Sequence, residues 1–485
     1  MHAASQWLPS VRRRSLVACI AATLAFSVFT PSDLRARPAR HAPAMNAPAT
    51  PAGTVIVTNC DDAGPGSLRD AVANAASGET IDLTQLACST ITLTTGAIDV
   101  PLDDLSVTGP GAATLTVNGS NLDRVFTHDG SGTLRIGGLT LTNGFNGLPA
   151  AYGAGGCVYS IGSVAVYDSA IYRCSASGTS YGLGGGIYAY GNVTIVGSAV
   201  NECVAEGYVA DGGGIFVVGN AYLTDARFTD DAAQGTGFAS GGAVFVILGS
   251  LTMEYSTLAY NVAYATSAGG FSLGGAIHSF GDVTIQDSAI TGNAADNVAG
   301  LVLEAYQNAP AATIVNSTIS GNGNSSTVFG AIYTAIPLGI YNSTIASNTG
   351  RSAGGVDAFG PAVTLESSII ATNGGQDLLL AHGATVRGSH DLIEVATTVP
   401  PGTLRSDPLL AALADNGGPT KTRALQAGSP AIDAGSNRMS LATDQRGDGF
   451  PRTGGAAPDI GAFESVFSDR IFADGFDGGP FRSAH

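Results

Sequence analysis

Charge is scarce in this chain. Asp, Glu, Lys and Arg together make up 12% of its 485 residues, and the basic ones are the scarcer: 21 Lys and Arg against 38 Asp and Glu leave a net charge of −17. That balance repels phosphate backbones and anionic lipid surfaces, so nucleic acid is not expected as a partner. Long apolar runs are absent after the first thirty residues, which leaves no segment of transmembrane length once a leader is removed. Helical periodicity is missing from the whole central region. What the chain has in excess is glycine, 67 residues, and repetition.

The N-terminus has the form of an export signal. Arg12, Arg13 and Arg14 precede an apolar stretch from Ser15 to Phe29 that is short for a membrane span. "RRSLV" loosely fits a twin-arginine signal and "LVAC" a lipobox, but Cys19 follows the last arginine too closely for the latter, and simple export is the expectation. A Pro/Ala-rich leader follows. Export permits disulfides.

Aligned on Ser-x-aliphatic-x-x-Asn, the chain gives "SAIYRC" (169–174), "SAVNEC" (198–203), "ARFTDD" (226–231), "STLAYN" (256–261), "SAITGN" (288–293), "STISGN" (317–322), "STIASN" (343–348) and "SIIATN" (368–373). A second marker keeps step with it: "GGCVY" at 155, "GGGIY" at 184, "GGGIF" at 212, "GGAVF" at 241 and "GGAIH" at 274. Short alternating runs such as "GNVTIVG" lie between them. A recurrence of roughly 29 residues, three brief β-like runs per unit and no helical period predict an all-β parallel β-helix in which each unit is one coil.

Stacked coils place equivalent residues in columns about 4.8 Å apart. Ile171, Val200, Phe228, Leu258, Ile290, Ile319, Ile345 and Ile370 are expected to fill the core, with the serines two places earlier also facing inward. The Asn column is expected at a turn, in left-handed geometry, with amide bonded to amide along the stack. Cys174 and Cys203 share that column one coil apart, which predicts a disulfide between them; Cys60 with Cys88 is the other expected pair, leaving Cys157 as a lone buried thiol.

An open solenoid must be capped. In "GPGSLRDAVANAASGETIDL" (64–83), Ser67 and Asp70 form a capping box, and Leu68, Ala71, Val72 and Ala75 form one apolar face, predicting a short helix over the first coil.

"NCDDAGPGSLRDAVANAASGETIDL" (59–83) resembles the opening segment of secreted bacterial parallel β-helix proteins. "DPLLAALADNGGPTKTRAL", "GSPAIDAG", "TDQRGDGFPR" and "PDIGAFE", between Asp407 and Glu464, are similar to the choice-of-anchor Q module, and the repeats resemble those of polymorphic outer-membrane proteins. The resemblance implies a right-handed, pectin-lyase-like coil, a hand that parallel crossovers also prefer, and a secreted or surface-displayed protein without established enzymatic activity. The expected organisation is a signal peptide at 1–30, a linker at 31–53, an N-terminal cap with helix at 54–100, β-helix repeats at 101–400, a choice-of-anchor Q-like region at 401–465 and a tail at 466–485.

Catalysis by such a fold needs clustered carboxylates, often with a nearby cation. The repeat brings together Arg173, Glu202 and Asp230, one place before the Asn column, with Asp231 and Arg227 close by. The plainer expectation for Arg173 and Glu202 is a surface ion pair. Binding candidates come from the Gly-Gly strands, where Tyr159, Tyr188, Phe216, Phe245, His278 and Tyr333 form an aromatic column that is either a sticky stripe or buried beneath a terminal segment or in the core. No cofactor is expected. Ca²⁺ is the one alternative, on Asp415, Asp433, Asp444, Asp448, Asp459 and Glu464, against Asx turns with exposed carboxylates. The function these features predict is a secreted or cell-surface scaffold, monomeric and adhesin-like, binding glycan or surface protein without turnover. The alternative is a polysaccharide hydrolase or lyase.

Overall fold

The computed structural model describes residues 53–147, 150–306 and 309–465. The expected signal peptide, nearly all of the linker and the tail lie outside the described residues.

Three residues of alternating pattern, a turn, and three more: repeated, this winds the chain into a parallel β-solenoid. Among the described residues its strands form three long parallel sheets of 13, 12 and 11 strands, here sheets 1, 2 and 3. One coil shows the order. Val193–Val196 lies in sheet 1, Ala199–Asn201 in sheet 2 and Ile215–Val217 in sheet 3, before Ala221–Thr224 returns to sheet 1 beside its starting strand. Strands within 54–100 already join all three sheets, so coiling begins inside the segment expected to be a cap. The helix Leu68–Asn74 packs Leu68, Ala71 and Val72 inward, with the Ser67 hydroxyl accepting from the Asp70 N–H.

The aliphatic column is inward and fully buried from Ile171 to Ile370. The serine column is inward as well: each hydroxyl donates to a carbonyl two residues back and accepts the N–H of the preceding coil's residue, as from Ser288 to Ser317 and from Ser317 to Ser343, both at 3.1 Å. Asn261, Asn293, Asn322 and Asn348, all buried, form a ladder with the half-buried Asn373. Each Oδ1 accepts both the backbone N–H and, for the asparagines, the side-chain N–H of the residue one coil earlier. Buried amides thus satisfy one another, which removes the cost of burying them singly.

The left-handed geometry expected of these asparagines belongs instead to their neighbours. Arg173, Glu202, Asp230, Tyr260, Ser347 and Thr372, each just before the ladder residue, have φ between 52° and 61°, with Gly292 and Gly321 taking the same role. A second left-handed column precedes the serines: Asp168, Asp225, Asp287, Asn316 and Asn342. The seven-residue unit "NSTISGN" therefore encodes one sheet-2 strand with a left-handed corner at either end. The corner residue points out, and the asparagine after it points in.

The disulfide expectation is half corrected. Cys60 pairs with Cys88, Cα atoms 6.5 Å apart. Cys174 pairs with Cys157, 5.3 Å away between Cα atoms, and the buried free thiol is Cys203. Stacked residues hold their Cβ vectors parallel at the coil spacing of about 4.8 Å, longer than the roughly 3.8 Å a disulfide prefers. Cys157 instead faces Cys174 across the corner of one coil. In the next coil the position facing Cys203 is Gly186, where a Cβ would lie 3.2 Å from the Cys203 sulfur.

Two additions interrupt the plain solenoid. Between sheets 2 and 3 several coils extend into an eight-stranded flange, running out along Ser175–Ser177, Val204–Gly207, Ala232–Gly235 and Val262–Ala265 and back along Tyr152–Ala154, Tyr181–Leu183, Val209–Asp211, Phe238–Ser240 and Phe271–Leu273. Its two layers meet on Ala205, Ala210, Ala233, Ala239 and Ala263. A Cβ on Gly182 would sit 2.2 Å from the Glu206 carbonyl oxygen, so glycine is required there. The second addition is the region after Pro401, which folds back along the outside of sheet 2 and covers its later coils.

Candidate functional site

The carboxylates singled out for catalysis stand on the outward left-handed corners. Arg173 Nε lies 2.8 Å from Glu202 Oε2, and both side chains are exposed. The Tyr172 hydroxyl donates to Glu202 Oε1 at 3.2 Å, and the Arg173 guanidinium lies 4.7 Å over the Tyr172 ring. The Arg173 hydrogen bond holds the Glu202 carboxyl below its usual range, the wrong direction for a general acid. Asp230 is exposed on the next coil, while Asp231 turns inward to head the asparagine ladder. The corner is a solvated ion pair of the kind that contributes little.

The aromatic column of sheet 3 exists as a stack. Tyr159, Tyr188, Phe216 and Phe245 hold ring centroids 5.3, 5.2 and 5.0 Å apart, within 8° of parallel, and His278 continues it edge-on to Phe245. The coil spacing sets that distance. Val302 stands between His278 and Tyr333 in register. The column is not a bare stripe: Tyr188 is 4% exposed and Phe216 2%. Neither a terminal segment nor the solenoid core hides it. The flange does, through Ala154, Leu183 and Tyr181, helped by Ile247 and Phe280 farther along sheet 3. Arg124 caps one end, its guanidinium 5.0 Å over the Tyr159 ring and its Nε donating to the Ala154 carbonyl. At the other end His278 Nε2 lies 3.2 Å from Glu304 Oε2, both groups buried.

The accessible rings are on the flange itself. Tyr152, Tyr181, Val209, Phe238 and Phe271 are in register along its return layer. Tyr152 stacks on Tyr181 at 5.0 Å and 3°, Phe238 on Phe271 at 6.2 Å, and Tyr208 meets Phe238 edge-on at 6.0 Å. Tyr152 is 40% and Tyr208 54% exposed. Five rows make an aromatic strip of roughly 19 Å along the coil axis. Sequence inspection passed over it, although a signal is present: an aromatic stands three residues before the Gly-Gly pair in "YGAGG", "YGLGG", "FASGG" and "FSLGG".

In the row where Val209 replaces a ring, Asp211 occupies the corner position held elsewhere by Ala154, Leu183 and Leu273. It is fully buried, and burial pushes its carboxyl up to about 8, with the in-register Ser240 hydroxyl pulling the other way.

Of the C-terminal acids Asp415, Asp433 and Asp448 are exposed, and Asp415 accepts the Gly417 N–H two residues on, as in an Asx turn. Asp444, Asp459 and Glu464 are buried. Asp444 is forked by Arg446 at 2.6 Å and Glu464 pairs with Arg452 at 3.2 Å. Backbone N–H groups donate to these carboxylates as well: Glu464 to Asp444 Oδ2, Ser465 and Asp433 to the two oxygens of Asp459, and Gly454 to Glu464 Oε1. Phe450 and Phe463 each lie 3.9 Å from the Arg446 guanidinium centre.

Fold and surface together define a flanged, single-chain parallel β-solenoid carrying an aromatic strip. No protein-family model matches the chain, and no curated protein matches it. Among solved structures it is similar to the pectate lyase Pel9A, with a TM-score of 0.40 and 16% identity over 85% of this chain and 97% of that one.

Proposed function

We propose that the protein is a non-catalytic, glycan-binding solenoid that acts at the cell surface or outside the cell. The flange strip carries this reading. Tyr152, Tyr181, Tyr208, Phe238 and Phe271 form a ridge of apolar rings along the coil axis, stacked on or edge-on to one another, against which the apolar faces of successive sugar rings in one chain can lie. The net charge of −17 favours a neutral polysaccharide over an acidic one. Two disulfides are compatible with an oxidising compartment. The choice-of-anchor Q-like pieces, which clamp the C-terminal region onto sheet 2, suit display. A polysaccharide hydrolase or lyase working through Glu202 and Asp230 is the second reading, favoured only by their adjacency.

The test is retention of the protein on a panel of neutral and acidic polysaccharides, with simultaneous assay for new reducing or unsaturated ends. Retention on a neutral polymer without new ends is expected, weakened about tenfold, or roughly 1.4 kcal/mol, by Tyr181→Ala with Phe238→Ala. New chain ends that disappear in Glu202→Gln would replace this reading with the enzymatic one.

A further inference from the structure

Among the described residues, sheet 1 is the long sheet left open at both ends of the solenoid. At the N-terminal end, the segment that leads into the first full coil closes sheets 2 and 3 without a strand. Asp62 Oδ2 accepts the Thr94 N–H just beyond the first strand of sheet 2, the Cys60–Cys88 bond ties the same segment down, and the helix Leu68–Asn74 lies against Ile98–Val100, the first strand of sheet 3. At the C-terminal end, Leu404 pairs with Leu392 over sheet 2, and over sheet 3 Ala396 pairs with Leu378 while the Asp377 N–H donates to the Val395 carbonyl. The chain makes no strand in sheet 1 between Ala396 and Leu404. The outermost strands of sheet 1, Thr54–Ile56 and Thr385–Ser389, therefore each have a neighbour on one side alone.

The two edges are complementary rather than alike. In sheet 1 outward residues bond to the coil before them and inward residues to the coil after, as the Thr80 N–H does to the Gly53 carbonyl and the Val164 N–H to the Asn192 carbonyl. The free backbone groups are thus those of the outward Thr54 and Ile56 at one end and of the inward Val386 and Gly388 at the other. A second copy translated along the coil axis brings the two sets together as in every internal pair of coils. Val55 beside Val386 keeps both side chains turned to the core, and Ile56, 57% exposed, comes to lie beside the exposed Arg387.

Charge sorts the ends in the same way. Between Gly53 and Asp104 the chain carries eight acidic residues and one basic residue, Arg69. Between Gln376 and Arg405 the exposed charges are Arg387 and Arg405, flanked by His382 and His390, while Asp377 and Asp391 are buried and Glu394 is half-buried. Two N-terminal ends repel each other, and unlike ends attract. We propose that the occupant of each open edge is a second copy of this chain: Thr54–Ile56 of one copy adds to Thr385–Ser389 of the next, head to tail, so that sheet 1 runs on across the junction and copies add into a linear filament. This departs from the monomer expected from the sequence, and it does not depend on glycan binding.

The experiment follows the intact chain by sedimentation velocity over rising concentration, at low and at high salt. Ile56→Pro removes an N–H from one edge and Val386→Pro from the other; neither N–H is bonded in the single chain, and an edge strand tolerates proline at such a position. Unchanged circular dichroism verifies the fold of each. The expected result is a ladder of oligomers, weakened by salt, whose apparent dissociation constant rises at least tenfold in either variant alone. Mixed together, the two variants should form one-to-one pairs and nothing longer, because one keeps its C-terminal edge and the other its N-terminal edge. Should Val386→Pro fail to fold, Arg387→Glu, at an exposed outward side chain, blocks the same edge by repulsion from the acidic end. No association at any concentration overturns the proposal. So does association that the variants leave unchanged or that mixing fails to restore, which would mark a symmetric or lateral contact. Association that appears only once the chain is cut ahead of Gly53 would make the chain's own leader the occupant of that edge, and overturns the proposal as well.

Discussion

Asp231 stands where the next five coils carry asparagine, and its Oδ1 accepts the backbone N–H of Cys203 at 2.9 Å. Its other oxygen is buried without a hydrogen-bond partner. Burial raises its carboxyl well above the ordinary range, which favours the neutral acid in the fold. Asparagine would supply the missing donor. Asp231→Asn is expected to raise stability at pH 8 by about 1–3 kcal/mol and to do less at pH 4, measured by urea unfolding at both values.

Asp211 and Asp391 make the same argument with numbers. Burial lifts each to about 8 from an ordinary 3.8. A raised acid takes up a proton on folding. The stability tied to it is complete below about pH 4, declines as pH rises toward about 8, and is flat beyond. Each contributes a slope of up to about 1.4 kcal/mol per pH unit in that window. Asp211→Asn and Asp391→Asn should therefore gain on the unaltered protein as pH climbs from 5 to 8. A gain that shrinks instead would mean that the carboxylates are ionised in the fold.

The ladder amide of Asn293 serves four hydrogen bonds, accepting from the Asn261 N–H and amide and donating to the Leu258 carbonyl and to Asn322. Asn293→Ala takes the acceptor from the buried Asn261 N–H and amide and a donor from the Leu258 carbonyl and Asn322 Oδ1, with an expected loss of about 2–4 kcal/mol in chemical denaturation. Serine at the outward corner residue Tyr260 should cost far less, because Ser347 already holds that geometry.

Cysteine chemistry checks the coil corner. Peptide mapping without reduction is expected to find Cys60 bound to Cys88 and Cys157 to Cys174, with Cys203 reacting with thiol reagents only after unfolding, since burial raises its thiol. Cys203→Ser should keep both bonds. Removing the Cys157–Cys174 bond, which spans 17 residues, should cost about 3 kcal/mol.

Arg452 is 1% exposed and donates to the Gly461 and Asp459 carbonyls as well as to Glu464. Arg452→Met strands the Glu464 carboxylate in the interior, a loss of about 3–5 kcal/mol. The loss should fall on the C-terminal region: limited proteolysis is expected to release fragments after Pro401 while the solenoid persists.

Much of this was legible in the chain. Stacking makes every coil repeat the same demands, so a core column, a serine column and an amide ladder each leave a periodic mark, from Ile171 to Ile370 and from Asn261 to Asn373. The capping helix was legible from Ser67, Asp70 and one apolar face. The left-handed corners showed only faintly, in Gly292 and Gly321, because Arg, Glu, Asp and Tyr hold the same angles where the column can impose them.

Tertiary structure alone decided the rest. Whether Cys174 met Cys157 or Cys203 depended on which Cβ vectors converge at a corner, and spacing along the chain does not carry direction. The column from Tyr159 to His278 was legible as a column, but its burial was set by a flange whose Ala154, Leu183 and Tyr181 close over it. The buried Asp444, Asp459 and Glu464 are held against coils as far as 127 and 157 residues away in sequence through neighbours such as Thr443 and Gln445. Contacts of that separation occur once and leave no period. A repeat therefore wrote the scaffold into the sequence, while the surfaces that the scaffold offers to other molecules were settled by which irregular segments came to lie across it.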